Sequence, residues 1–444
     1  MHAHPQLKLA DLEVEEQPAV AAQPLGETGA SLTITAAPKA RRENFIPIRV
    51  AQLVELLSER AELSQHESRQ FAEFCRLITV TYHHAFHEEL EQLKSAYAAV
   101  DPDSDTVSLN EPTAEELEVS SNQFFDRTMW LLERANFRRL SPTEIQEAVK
   151  SIGELGLRIE LNFEVFARLE VYVRGDISQR RWKRSWKQWL RRVPTDIPAY
   201  ERLAMVFRLQ DHERLGAEAN PRVIHLKLFK NVPKMDLEML LPGAIIRMSL
   251  LDRIKIFVPT VSGLAISGWK LLQGALTLAA TGVYGMLGLA GMLGGTVGYG
   301  VKSFIGYQRT IQKYQLNLTK RLYFQNLDNN AGVLFRLINE AEEQECREAI
   351  LAYYFLRWRT DGVAKPSTSC ELDRTIEQFI RSQIGCDVDF EVSDALQKLQ
   401  RLGLVDYHTA GSKTAGTWQA VSLDVAITRL SQRWSTAFES AKAA

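Results

Sequence analysis

Apolar residues recur every three or four positions along much of the first third of the chain. Between residues 49 and about 100 they do so at, for example, Phe71, Phe74 and Ile78. Segments 121–135 and 143–155 show the same spacing. Residues with this spacing share one face of a helix, so the pattern predicts helices with a buried stripe.

The pattern changes to near-alternation after residue 160. Segments 162–174, 200–209 and 223–229 each carry apolar residues at every second position, as at Val171 and Val173. Alternation of this kind is typical of strands, and three such strands in succession predict an antiparallel group with one buried face.

The C-terminal third returns to helical spacing. A long charged helix is predicted at 313–357, and shorter helices are predicted at 371–382 and 391–402. Segments 404–408 and 418–423 then read as two strands joined by a glycine-containing turn. Three helices followed by a β-ribbon are typical of a winged-helix module.

A long apolar stretch separates these two parts. Lys270 is the sole charged residue between Lys255 and Lys302. A helix that crosses a bilayer needs about 20 apolar residues, so the stretch is long enough for one span or for two. Two spans, at 256–272 and about 278–301, give the stretch before Lys270 a partner, and they are the favoured prediction.

Glycines support the prediction of a transmembrane hairpin at 256–306. Interior glycines weaken a helix in water, whereas in lipid they let two helices approach closely. The alternative is a buried glycine-rich hairpin in a globular domain. The glycines predicted to pack helix against helix are Gly285, Gly288, Gly291, Gly294, Gly295 and Gly298.

Basic residues flank the apolar stretch on both sides, with Arg253 and Lys255 before it and Lys302 and Arg309 after it. Under the positive-inside rule, both flanks then face the cytoplasm. Residues 1–44 combine acidic and proline-rich sequence without the features of a signal or transit peptide, which predicts a disordered tail. Together these features predict a multi-pass protein of a bacterial inner membrane with both termini cytoplasmic.

The segment 180–192 is the sharpest local charge feature, because it carries seven basic residues and no acidic one. If it is helical, its three tryptophans share a face, which suits contact with anionic lipid headgroups. A solvated loop and a nucleic-acid contact are the alternatives. The residues predicted to contact the membrane surface are Arg180, Arg181, Trp182, Lys183, Arg184, Trp186, Lys187, Trp189, Arg191 and Arg192.

Composition narrows the candidate chemistry. The 444 residues carry 53 Lys and Arg against 55 Asp and Glu, a net charge of −2, which excludes a globally basic nucleic-acid binder. The four cysteines form no CxxC pair, and His83 and His87 share a helix face without a third ligand at zinc-site spacing. No catalytic, cofactor-binding or metal-binding residue is predicted.

The winged-helix pattern invites a DNA-binding interpretation, but charge argues against it. Residues 333–430 hold 11 Lys and Arg against 15 Asp and Glu, a net charge of −4. DNA binding depends strongly on neutralising phosphates. A protein partner or a homo-oligomer is therefore favoured over nucleic acid.

Three stretches together resemble a known family. They are HLKLFKNVPKMDLEMLLPG at 225–243, the apolar hairpin, and RLYFQNLDNNAGVLFRLINEAEEQECREAILAYYFL at 321–356. The sequence resembles domain of unknown function family 3754, the family of transmembrane protein 143, over about residues 45–430. The resemblance implies a soluble region, a membrane region and a helical C-terminal region, and it implies no catalytic residue.

The sequence thus predicts an α+β protein, mostly helical, with a small antiparallel sheet, a transmembrane hairpin and a winged-helix-like module. Its predicted parts are a tail (1–44), a cytoplasmic α+β domain (45–250), the hairpin (256–306) and a helical region (307–444). The expected function is that of a membrane-anchored interaction or scaffold protein, with the lipid bilayer as one partner. The alternatives are a membrane-tethered regulator that binds nucleic acid and an enzyme with a site in the 162–229 sheet.

Overall fold

The chain is described by a computed structural model. It covers residues 42–60, 62–105, 112–150, 158–160, 162–184, 192–213, 215, 220–243, 245–247, 323–358, 366–408 and 416–443, with isolated positions between 269 and 320. Every statement below concerns these described residues.

The N-terminal part of the described chain contains four helices: α1 (Val50–Ser58), α2 (Gln65–Tyr97), α3 (Ala114–Arg134) and α4 (Pro142–Lys150). They confirm the helices predicted from apolar spacing. Capping boxes begin the two long ones, because Ser64 and Thr113 each exchange hydrogen bonds with the glutamate three residues later. Asn136, with φ 55°, ends α3 in the left-handed conformation common after helices.

The main sheet has five antiparallel strands. In their order across the sheet they are β1 (Arg138–Arg139), β3 (Phe166–Arg184), β4 (Arg192–Leu209), β5 (Ile224–Pro233) and β7 (Asn326–Asn329). Two further strands, β2 (Arg158–Glu160) and β6 (Ile245–Arg247), pair separately.

Both faces of this sheet are buried, whereas the sequence pattern predicted one. Tyr172 and Leu228 lie in a cluster with residues of α2 and α3. Val173 and Met205 lie in another with Leu237, from the short 3-10 helix at Lys234–Leu240. Burial on two faces explains why the strand segments are so rich in apolar residues.

The C-terminal part comprises α5 (Ala331–Arg357), α6 (Ser369–Ile384), α7 (Val392–Arg401), β8 (Val405–His408), β9 (Thr417–Ala420) and α8 (Leu423–Ala443). β8 pairs with β9, and Ser367 bridges to Trp418 of β9. The buried half of α5 packs in one cluster with α6, α7 and the first two helices. The α+β class predicted from the sequence is therefore confirmed: the chain is mostly helical with a small antiparallel sheet.

The membrane prediction is corrected by the structure. Among the described residues, no helix combines the length and the apolar character needed to cross a bilayer. The longest, α2, has 33 residues but carries charged side chains along its length, such as Arg76 and Glu88. The transmembrane assignment and the multi-pass location in a bacterial inner membrane are wrong for this part of the chain. The predicted spans, 256–272 and 278–301, lie outside the described residues except at Trp269, Gly298 and Val301.

Candidate interaction site

Three strands of the main sheet, β3, β4 and β5, narrow to two just beyond one row of three residues. Gly175 of β3 has φ +75°, Asn231 of β5 has φ +53°, and Glu201 of β4 lies between them. A Cβ added to Gly175 would lie 2.6 Å from Glu201 Cβ, so the backbones approach closely only because the residue is glycine. Beyond this row β5 continues only to Pro233, opposite Ala199.

β3 and β4 extend past the end of β5 as a two-stranded ribbon, residues 176–184 and 192–200, which we call the basic ribbon. Only Ala199 and Tyr200 of the ribbon still pair with β5. The register continues without interruption from Asp176 opposite Tyr200 to Arg184 opposite Arg192. At about 3.3 Å per residue, the β3 part is about 26 Å long. The ribbon therefore carries basic sequence away from the body of the sheet.

The residues predicted to contact a membrane surface fall largely on this ribbon. Arg180, Arg181, Trp182, Lys183 and Arg184 lie on β3, and Arg192 lies on β4. These positions are strand and not helix, because pairing of β3 with β4 overrides the local tryptophan spacing. Trp186, Lys187, Trp189 and Arg191 lie outside the described residues.

Arg180 shows the charge that the ribbon presents to solvent. Its side chain is 67% exposed, and Nε lies 3.6 Å from Asp196 Oδ1 on β4. An exposed ion pair at this distance holds a side chain only weakly, so the guanidinium stays available to a partner.

A polar cleft of about 310 Å³ lies at the base of the ribbon. Phe137 and Tyr200 contribute aromatic side chains to its lining, together with charged groups from four separate segments. The charged residues that line it are Arg42, Glu43, Glu133, Arg138, Arg174, Asp176 and Glu391.

An extended segment, residues 42–46, forms one wall of this cleft and links the sheet to the C-terminal part. Glu43 pairs with Val388 as an isolated bridge, and its carboxylate accepts a hydrogen bond from Asp176 N at 3.2 Å. Arg42 donates to the Val388 carbonyl and lies 2.5 Å from Glu377. Ile46, fully buried, is tied by its N–H to the Gln344 side chain of α5.

Arg174 is the most enclosed cation of the cleft. Its guanidinium lies between the rings of Phe45 and Phe137, at 3.9 and 4.6 Å from their centroids. Burial lowers the pKa of Arg174, and the carboxylate of Glu340, 2.9 Å away, opposes that shift. Arg174 therefore holds the cleft together.

The other titratable groups of the cleft are also shifted by burial. Burial, with a contribution from Asp176, raises the pKa of Tyr200 to about 12. Burial and the nearby Glu348 raise the pKa of Glu391, whose carboxylate accepts a hydrogen bond from Asn44. Such shifts are frequent at functional sites, but ion-pair networks produce them as well.

A second polar cluster is buried between α5 and α7. Carboxylate oxygens of Glu345, Glu348 and Asp394 lie within 4.8 Å of one another, close enough to share a metal ion. Lys398 Nζ contacts all three, at 2.8 Å from Glu348, and Arg134 lies 2.9 Å from Glu345. The lysine ammonium thus already occupies the position of a cation, and the cluster works as an ion-pair lock between helices.

The histidines of α2 do not converge on a metal ligand set in the described structure. His83 Nδ1 lies 3.1 Å from Glu342 Oε2 of α5, and His84 pairs with Glu88 on its own helix. These contacts are those of a solvated helix surface.

Most of the glycines predicted to pack transmembrane helices lie outside the described residues, namely Gly285, Gly288, Gly291, Gly294 and Gly295. Gly298 is described in a helical conformation, and a Cβ added there meets no described atom within 4 Å. Nothing in the described chain packs against it.

The family model DUF3754, described as a protein of unknown function, matches residues 200–332. This match confirms, for these residues, the resemblance to the family seen in the sequence. The match is shorter than the resemblance to 45–430 suggested, and the relation to transmembrane protein 143 is not confirmed. No solved structure matches the chain.

Proposed function

We propose that this chain is an interaction protein that binds an acidic protein segment through the described strands of the basic ribbon. The observation that carries the proposal is the ribbon itself. It extends beyond the sheet and places Arg180, Arg181, Lys183 and Arg184 on one strand, with no acidic residue among them. Such a concentration of one sign of charge attracts partners of the opposite sign.

Acidic residues at the base of the ribbon favour a short acidic segment over a nucleic-acid duplex. Glu43, Asp176 and Glu391 line the cleft there. A duplex carries one negative charge per about 1.7 Å along its axis, so a duplex lying along the ribbon would meet these carboxylates. An acidic peptide can contact the strands and end before the cleft.

We further propose a winged-helix arrangement for the C-terminal part, used for contacts within the protein. The order α5, Ser367, α6, α7, β8 and β9 supports it, because Ser367 supplies a third strand position against β9. In this arrangement α7 is the helix that would read DNA. Its Lys398 is 6% exposed and engaged with three carboxylates, so it is not available to a phosphate.

A nucleic-acid partner remains the second candidate because of the exposed face of α7. Ser393, Gln397, Gln400 and Arg401 are exposed on it, and these residue types contact base edges in the major groove. The net charge of −4 over residues 333–430 works against this alternative.

An enzymatic site in the cleft has less support than binding. Arg138 is paired with Glu144, Arg174 with Glu340, and Asp176 with Lys234. Charged groups that neutralise one another are poorly placed to act on a substrate.

The test compares two charge-reversed forms of the full chain. The ribbon variant carries R180E, R181E, K183E and R184E. The control carries R69E, R76E, R222E and R374E, at exposed arginines elsewhere. Binding of a fluorescent ten-residue glutamate peptide and of a 20-base-pair duplex is followed by anisotropy at low salt.

We expect the ribbon variant to bind the peptide at least tenfold more weakly, while the control binds within about twofold of wild type. Equal loss in both variants would show a general charge effect and overturn the proposal. Tighter binding of the duplex than of the peptide, lost only in the ribbon variant, would favour nucleic acid instead.

A further inference from the structure

The two edges of the basic ribbon differ in their capacity to accept another strand. On the β3 side, β1 pairs only at Tyr172 and Val173. Within the described chain, no strand lies beside residues 177–184 on the side away from β4. On the β4 side, pairing with β5 ends at Ala199, so residues 192–198 also form an outer edge.

Prolines distinguish these edges. β4 carries Pro194 and Pro198 within its outer part, whereas β3 has no proline along its length. A proline in a sheet has no N–H to give, and it is found at edges with that position facing outward. Two prolines four residues apart therefore discourage pairing along β4, which is a common protection of exposed edges.

We infer that the partner adds an extended acidic strand to the outer edge of β3, from Ile177 to Arg184. This inference rests on the proposed function and specifies how the partner binds. Strand addition supplies backbone hydrogen bonds for affinity, and side chains at alternate positions supply specificity. The four basic residues of this stretch select an acidic strand.

Charge also argues against a second copy of the chain as the strand that pairs with the outer edge of β3. Pairing of two β3 edges would bring Arg180, Arg181, Lys183 and Arg184 against the same residues of the other copy. Like charges opposite one another on paired strands are destabilising. An acidic segment of another protein meets the same edge with opposite charges.

The ribbon has a physical reason to accept a third strand. Two-stranded ribbons are marginally stable in water without packing on a sheet or a helix. The described ribbon leaves β5 at Pro233 and continues as two strands. A third strand paired with the outer edge of β3 would extend the ribbon to three strands.

The experiment uses two eight-residue peptides with alternating threonine and glutamate. They are identical except that one is N-methylated at every backbone nitrogen, which removes its N–H donors and leaves its charge. Binding to the full chain is measured by anisotropy, together with hydrogen exchange of the chain's own backbone amides.

We expect the unmethylated peptide to bind at least tenfold more tightly and to protect amides in 177–184 more than those in 192–198. Equal binding of both peptides would overturn strand addition and leave the charge-based proposed function standing. Protection confined to 192–198 would overturn the choice of edge. Binding by neither peptide would remove the proposed function as well.

Discussion

Lys398 of α7 places its ammonium 2.8 Å from the carboxylate of Glu348 on α5, with both side chains almost fully buried. Burial alone lowers the pKa of Lys398, but Glu348, Glu345 and Asp394 outweigh it and raise the pKa overall. Lys398 therefore stays charged, and its ion pairs fix α7 to α5.

Replacing Lys398 by Met should destabilise the chain strongly. Removing one partner of a buried ion pair leaves uncompensated charge, which typically costs about 3–5 kcal/mol. The free energy of unfolding in urea measures the loss, with R401M as the control because Arg401 is exposed on the same helix.

The double variant K398M/E348Q should recover part of this loss, because it removes one of the orphaned charges. If K398M cost no more than R401M, the ion-pair lock would not contribute to stability.

The same lysine shows what sequence reasoning captured and what it missed. Apolar spacing located the helix at 391–402, and Leu396 and Leu399 are buried as that spacing requires. Lys398 lies on the same buried face, so its position in the apolar pattern already indicated that a charged side chain is buried there. Its partners Glu345 and Glu348 lie about 50 residues earlier, so no local pattern could connect them.

The basic ribbon and the cleft illustrate a different limit of prediction from the sequence. The sequence identified the basic segment and left open whether it is a helix or a loop; pairing of β3 with β4 shows that residues 180–184 and 192 form a ribbon. The cleft joins Glu43, Arg174 and Glu391, which lie far apart in sequence. Sites built from such long-range contacts appear only with the fold.

Gly175→Ala should destabilise more than Gly385→Ala. Both glycines have φ near +75°, a conformation that costs other residues roughly 1–2 kcal/mol. At Gly385 a new Cβ meets no described atom within 4 Å, whereas at Gly175 it would lie 2.6 Å from Glu201 Cβ.

Thermal unfolding of the two alanine variants gives the comparison. Equal losses of stability would show that close strand packing at Gly175 does not matter.

Tyr200 should make stability fall at high pH. Its pKa is about 12 in the folded chain against an ordinary value of 10, so the unfolded chain loses the proton first. The contribution is complete below pH 10 and is lost as pH rises from 10 to 12, by about 3 kcal/mol at most.

The Y200F variant isolates this effect, because phenylalanine has no proton to lose. Between pH 10 and 12, the free energy of unfolding of the wild type should fall relative to that of Y200F. A difference that stays constant over that range would contradict the assigned burial of the hydroxyl.

Ile46→Ala should show that the extended segment 42–46 is part of the core. The side chain is fully buried against α5, and truncating a buried isoleucine typically costs about 2–5 kcal/mol. Ile48, which is only partly buried, provides the matched control. Urea unfolding that gave equal losses for I46A and I48A would contradict the central position of Ile46.

Photo-crosslinking from the ribbon tests the central claim most directly. A benzoylphenylalanine replaces Arg180 on the ribbon or, as control, Arg374 on α6, and each chain is irradiated with the glutamate peptide. The account predicts a crosslink to the peptide from position 180 and little from position 374, with the yield at 180 falling as salt is added. Equal crosslinking from both positions, or crosslinking from 374 alone, would contradict it.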